Sequence, residues 1–209
     1  GCGFLMEGCG MVNCANNLFE NNFINLIINE AAIIINVSDN KFINPLYTDI
    51  YVYNDYQLLR SGLLSLAKAD LQKYCIDNVV ISDNQFTRSK NAIGKCVVRF
   101  ANGYHVLESG ASVEWSRVTN LIISNNTVSD SRGTAASDEA IFEVSNIKET
   151  KSKIVCYDNK FSSSKAKYYI NLWQGSTGKY TFINKRNTFP SGVNESKIKN
   201  NTSGVIVCE

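Results

Sequence analysis

The sequence predicts an all-β chain, a single-stranded parallel β-helix with long lateral loop insertions, on three observations. Composition favours strands and turns: 26 Asn, 21 Ser and 20 Ile stand against two Pro and two Met in 209 residues, so β-branched residues and turn formers dominate. Apolar residues alternate with polar ones in short runs, which marks strands with one buried face. One short phrase also recurs along the chain, and recurrence at a coil-sized interval is the signature of a wound architecture.

In order, the phrase reads Val12-x-Cys14-x-x-Asn17-x-Phe19, Ile35-x-Val37-x-x-Asn40-x-Phe42, Val79-x-Ile81-x-x-Asn84-x-Phe86, Leu121-x-Ile123-x-x-Asn126-x-Val128 and Ile154-x-Cys156-x-x-Asn159-x-Phe161. A looser sixth copy ends Asn187-x-Phe189. Each copy is a strand whose alternate residues turn inward, running into a bend marked by Asn. On that register Ile123 points inward and Ser124 outward. An Asn amide both donates and accepts, so copies stacked about 4.8 Å apart can bond to one another and to turn backbone. The Asn positions are 23, 44, 42, 33 and 28 residues apart, never less than one wide coil but uneven, so the surplus residues must loop outward. A second strand signal lies between copies, at Ile50-x-Val52-x-Asn54, Val98-x-Phe100-x-Asn102 and Phe142-x-Val144-x-Asn146, and two strands per coil are expected. Asp39, Asp83, Asn125 and Asp158 each precede a ladder Asn; such residues suit turns because they accept local backbone bonds and tolerate left-handed backbone.

The β-helix domain is expected over residues 1–190, in about six coils, with insertions at 55–78 and 103–119. Residues 191–209 add a terminal strand or begin a C-terminal cap. Apolar runs such as Leu26 to Ile28 and Ala31 to Ile35 fall far short of the roughly 20 residues of a helical bilayer span, so no membrane insertion is expected. Lys and Arg number 21 against 19 Asp and Glu, a balance that argues against a nucleic-acid partner. Cys14, Cys96 and Cys156 lie within apolar alternation and read as reduced, buried thiols of a protein made in a cytoplasm. Cys2 and Cys9 form only a wide, unpartnered pair, and with a single His and no Cys-x-x-Cys neither a metal nor a cofactor is expected. The chain opens at Gly1 with neither an initiator Met nor a leader, so a domain cut from a longer protein is expected.

Phrases such as Asn78-Val-Val-Ile-Ser-Asp-Asn-Gln-Phe86 and Asn120-Leu-Ile-Ile-Ser-Asn-Asn-Thr-Val128 resemble the coil repeats of right-handed parallel β-helix proteins of the pectin-lyase-like group, over roughly residues 11 to 190. Within that group the uneven insertions, reduced Cys and high Asn, Ser and Ile content look most like a bacteriophage tailspike. The resemblance implies a homotrimer on the virion tail, synthesised in the bacterial cytoplasm. It also implies binding and cleavage of a bacterial surface polysaccharide, a capsule, exopolysaccharide or O-antigen. The Asn-Thr-Asp, Asp-Asp and Gly-His-Gly segments of polygalacturonase-type enzymes are absent, as are pectate-lyase-type calcium and arginine motifs. No catalytic residue therefore transfers by motif, and hydrolysis is favoured over lyase elimination. The alternative is a glycan-binding or structural β-helix segment of a phage fibre or adhesin that does not cut.

The site must then be read from columns, because equivalent positions in successive coils become neighbours. Tyr51, Arg99 and Glu143 share one outward column, which reads either as a solvated ion pair beside a ring or as the floor of a sugar groove. In the second reading Glu143 is the acid or base, and Arg99 holds it or a substrate carboxylate. Insertion 55–78 follows a Tyr-rich segment that includes Tyr47, Asp49, Tyr51 and Tyr53, and it continues as an amphipathic stretch from Leu58 to Leu71. Insertion 103–119 contains Tyr104, His105, Glu108, Glu114, Trp115 and Arg117. Aromatic faces cover pyranose rings while carboxylates and Arg bond hydroxyls. Glu143, Glu108 and Glu114 are thus the candidate catalytic residues, with Tyr51, Tyr53, Arg99, Tyr104, Trp115 and Arg117 as substrate-binding residues. The plain alternatives are cross-coil aromatic packing for the tyrosines, a hydrophobic lid for Trp115 and solvated loop carboxylates for Glu108 and Glu114. A second outward column reads Asn13, Asn36, Val80, Ile122 and Val155, whose apolar run calls for a covering insertion or a sister chain.

Overall fold

A computed structural model shows the chain to be all-β. It describes residues 1–7, 10–29, 34–53, 77–90, 92–93, 96–101, 104–106, 112–114, 120–132, 140–145, 153–161, 168–172, 181–189, 198–200 and 205–209, and no helix occurs among them. The first strands are β1 (Cys2–Glu7), β2 (Met11–Ala15), β3 (Leu18–Glu20), β4 (Ile24–Asn29), β5 (Ile34–Ser38), β6 (Lys41–Ile43) and β7 (Thr48–Tyr53). Next come β8 (Asn78–Ser82), β9 (Gln85–Arg88), β10 (Cys96–Ala101), β11 (Tyr104–Val106), β12 (Ser112–Glu114), β13 (Asn120–Ser124) and β14 (Thr127–Asp130). The last are β15 (Ala140–Ser145), β16 (Lys153–Tyr157), β17 (Lys160–Phe161), β18 (Tyr168–Leu172), β19 (Thr181–Lys185), β20 (Ile198–Asn200) and β21 (Val205–Cys208).

These strands sort into three sheets and a two-stranded ribbon. Sheet A runs β1-β4-β7-β10-β15-β18-β20, sheet B β2-β5-β8-β13-β16-β19-β21 and sheet C β3-β6-β9-β14-β17. Every pairing within them is parallel; only the β11–β12 ribbon is antiparallel. The chain visits the sheets in turn, and each return lays a strand beside the last one placed there. Val12 lies beside Ile35, Ile35 beside Val79, Val79 beside Leu121 and Leu121 beside Ile154, the same positions that the repeated phrase aligns. Phe182 and Ile206 carry that row two strands further. Pairing thus extends beyond residue 190, with one strand of 191–209 in sheet A and one in sheet B.

Five successive coils contribute three strands where two were expected; after β19 the third is reduced to an isolated Lys160–Thr188 bridge. The sheet C strands directly follow a ladder Asn and are too short, at two to four residues, to show alternation. Their trace in the sequence is a single inward apolar residue, Phe in four strands and Val128 in β14. Phe19 stacks on Phe42 at 5.0 Å and Phe42 on Phe86 at 5.1 Å, while Phe161 stacks on Phe189 at 4.4 Å. The three sheets enclose one apolar interior that includes Leu26, Ile50, Ile81, Ile123, Phe142 and Ile154. Removing such side chains from water stabilises by about 1.5–3 kcal/mol apiece. Ile123 is fully buried as its register requires, but Ser124, on the outward parity, is also buried. Cys14 and Cys156 are buried and unbridged. Burial pushes both thiols up, Cys156 to about 12, so they pack as small hydrophobes.

The corner between sheets B and C is closed by the Asn ladder. The backbone N–H groups of Asn17, Asn40, Asn84, Asn126 and Asn159 each donate to the side-chain oxygen of the next ladder Asn at 2.9–3.0 Å. Each Nδ2 donates to that same oxygen at 2.9–3.1 Å. The amides also turn inward to the strand below: Asn84 donates to the Val37 carbonyl, Asn126 to Ile81 and Asn159 to Ile123, while Asn84 also donates to Ser82, two residues earlier on its own turn. Just ahead of each ladder position the backbone is left-handed, with φ of 61° at Asn16, 57° at Asp39, 58° at Asp83, 55° at Asn125, 53° at Asp158 and 49° at Arg186. Asn and Asp tolerate that region better than other side chains. Arg186 is the exception, and it pairs with Asp158 at 2.6 Å.

Asn84→Ala should strand the Asn40 N–H and the Val37 carbonyl in the interior, at about 1–3 kcal/mol each. Asn13→Ala, in an exposed pair with Asn36, should cost under about 0.5 kcal/mol. Urea unfolding of the two variants checks the contrast.

Candidate functional site

The outward face of sheet A carries one continuous row. The strand register sets Leu5 beside Ile27, Ile27 beside Tyr51, Tyr51 beside Arg99, Arg99 beside Glu143, Glu143 beside Asn171 and Asn171 beside Lys199. The ring, guanidinium and carboxylate that sequence spacing aligned are therefore neighbours on β7, β10 and β15. Arg99 Nε lies 3.7 Å from Glu143 Oε2, with the two side chains 36% and 14% exposed. At that exposure the pair contributes at most about 1 kcal/mol to stability. The Arg99 guanidinium sits 5.8 Å from the Tyr51 ring centre and 5.6 Å from that of Tyr47, and it donates to the Tyr47 hydroxyl.

Tyr47 and Phe23 were not singled out as site residues from the sequence. Tyr47 meets Tyr51 edge-on at 6.4 Å, and on its other side stacks on Phe23 at 5.7 Å and 8°. Phe23 is 51% exposed. Phe23 and Tyr47 precede β4 and β7, and the Tyr47 N–H donates to the Phe23 carbonyl, so backbone pairing already holds the two rings in register. The usable signal was their spacing of 24 residues, which also relates Ile24 to Thr48 and Asn25 to Asp49. Together Phe23, Tyr47 and Tyr51 form an aromatic platform that leads onto the Arg99–Glu143 pair. This arrangement can cover the apolar face of a sugar ring and bond its hydroxyls.

The other residues named from the sequence stand as follows. Tyr53 is the last residue of β7, paired in register with Ala101. Tyr104 is paired with Glu114 in the β11–β12 ribbon, and His105 with Val113. The ribbon begins three positions after Ala101, the last residue of β10. Glu108, Trp115 and Arg117 lie outside the described residues, as does the Leu58 to Leu71 stretch with most of insertion 55–78. No group of His, Cys, Asp or Glu that could hold a metal occurs among the described residues.

Beneath the platform, where sheet C passes into sheet A, lies a polar corner that alternation did not reveal. Asp49 shares the parity of Tyr51 yet is fully buried, because the chain is still bending there. It accepts from Asn25 Nδ2 at 2.8 Å and from Arg88 Nη2 at 3.2 Å. Arg88 lies beside Asp130 in sheet C, and Asp130 takes a two-pronged contact from Arg132 at 2.8 and 2.6 Å. Burial pushes the Asp49 carboxyl up to about 6, against the pull of Arg88, Asn25 and Arg132. Asp130 is also partly desolvated, but its bonds to Arg132 hold it below the usual carboxylate range. The network anchors the start of β7, and through it Tyr47 and Tyr51.

Comparison of the chain with protein-family models, with curated proteins and with solved structures finds no match.

Between its unfolded value near 3.8 and its folded value near 6, Asp49 binds more proton in the folded state than in the unfolded one. Its contribution to stability is therefore greatest below the unfolded pKa and falls as pH rises through that window. Asp130 acts oppositely, with stability lost as pH falls below about 4. Melting temperatures from pH 4 to 6.5 should show a downward trend in the native chain that Asp49→Asn flattens.

Proposed function

We propose that the chain is a right-handed parallel β-helix of tailspike type that binds a bacterial surface polysaccharide on the outer face of sheet A and cuts it by glycosidic hydrolysis. The observation that carries this reading is the aromatic platform running directly into a paired guanidinium and carboxylate, at Phe23, Tyr47, Tyr51, Arg99 and Glu143. Rings bind the apolar faces of pyranoses, and the polar pair meets hydroxyls where the platform ends. The rotation of the chain through three parallel sheets supports the wound fold, and the right hand follows from the preference of parallel crossovers.

Hydrolysis needs two carboxyls, about 5–5.5 Å apart for retention or about 6.5–9.5 Å for inversion. Glu143 supplies one. Its partner in this proposal is Glu108 or Glu114 of insertion 103–119, whose ribbon starts beside the end of β10. In this proposal Glu143 serves as base or nucleophile, and the acid falls to the partner. A second reading is favoured by one observation: Glu143 and Arg99 already engage each other, as they would in a face that grips glycan without cutting.

Incubation with polysaccharides from candidate host strains distinguishes the readings. New reducing ends mark a hydrolase, ultraviolet absorbance of an unsaturated product marks a lyase, and binding with neither marks the gripping module. Glu143→Gln should lower hydrolysis by roughly 100-fold or more while binding persists. Hydrolysis that survives Glu143→Gln, Glu108→Gln and Glu114→Gln separately would show these assignments to be wrong.

The proposal includes a homotrimer on the virion tail, assembled from chains made in the bacterial cytoplasm. Its support is the outward row of sheet B, where Val80, Ile122, Val155, Ile183 and Val207 lie in register and are all partly exposed. Five adjoining apolar side chains gain by contact with the same row of a sister chain. Sedimentation at micromolar concentration should give a trimer, and Ile122→Asp should shift it to monomer.

A further inference from the structure

The outer row of sheet A does not end at Glu143. Its next member, Asn171 on β18, is fully buried, and both atoms of its side-chain amide lack a hydrogen-bond partner. An amide left in that state is costly, because it has given up water and received nothing in exchange. Every fully buried ladder amide, by contrast, is satisfied several times over, so the chain has the means to pair a buried Asn and does not do so here. Asn171 lies between Glu143 and Lys199 in register, and both of these are partly exposed. Lys199 rests its ammonium 5.4 Å from the centre of the Tyr168 ring. Both neighbours carry long side chains, and a ligand reaching Asn171 would require that they move aside.

We propose that Asn171 is a specificity-determining residue of a further sugar subsite, binding a pair of adjacent hydroxyls with its amide N–H and oxygen. This rests on the glycan reading above and extends it. An amide offers one donor group and one acceptor on a single rigid plane, which matches two neighbouring hydroxyls that each donate and accept. The row from Tyr51 to Asn171 crosses three strand intervals, roughly 14 Å, too far for one sugar ring to reach both ends. The ligand class is therefore an oligosaccharide segment, with rings on the Tyr47–Tyr51 platform and a diol-bearing residue at Asn171.

The test uses Asn171→Leu and fragments of graded length prepared from whichever host polysaccharide the native chain binds. Leu has the heavy-atom count and branching of Asn and removes an unsatisfied amide, so the variant should melt at or above the native temperature. It should bind the longest fragments about tenfold more weakly, and fragments too short to span the row as well as the native chain does. Equal loss at every length, or no loss at any, overturns the proposal, and so does a lower melting temperature, since the amide is then structural. Crystals of the native chain soaked with the longest fragment give an independent reading: sugar hydroxyls within hydrogen-bond distance of Asn171 support the subsite, and a sugar elsewhere excludes it. A native chain that binds none of the polysaccharides sinks the glycan reading and this inference together, whereas glycan binding indifferent to Asn171 sinks this inference alone.

Discussion

The ladder of Asn amides at the corner between sheets B and C is the constraint on which the rest of the molecule depends. A parallel sheet satisfies its backbone along the strands, but the bend between two sheets leaves N–H and carbonyl groups facing the interior, where each unpaired group is penalised. Here one side chain per coil resolves both. Its oxygen takes the N–H of the preceding rung, and its nitrogen reaches carbonyls of the strand below. Since each amide bonds to the next, the bonds also set how successive coils lie over one another. Apolar columns and surface rows inherit their alignment from that registration.

Much of this was legible in advance because the repeat carries it redundantly. Inward residues five and three positions before each Asn recur often enough to align strands 23 to 44 residues apart, and the register agrees with that alignment at every row. Sheet C was hidden because two to four residues cannot display a period of two. The left-handed residues were legible as turn formers at Asp39, Asp83, Asn125 and Asp158, but not at Arg186, whose side chain gives no hint of such a backbone.

The site was legible to the extent that it obeys the strand period. Tyr51, Arg99 and Glu143 fall on one parity and are neighbours. Phe23 and Tyr47 lie outside the strands, where parity has no meaning, and only their offset from one coil to the next relates them. Asp49 misled for the opposite reason: it has outward parity, yet as the second residue of β7 it is still at the corner, and its carboxylate ends inside with Arg88 and Asn25. Alternation describes straight chain, and Phe23, Tyr47 and Asp49 sit at or next to the corner that leads into sheet A.

The uneven distance between ladder residues has a consequence for how such a molecule can change over generations. Rungs separated by 23 residues and rungs separated by 44 pair in the same register, so the intervening sequence is not what aligns them. Its length and content are free to drift while the frame stays fixed. The frame therefore behaves as a rack into which sequences of different length can be fitted, and changes in those cassettes can accumulate without disturbing the alignment of the rungs.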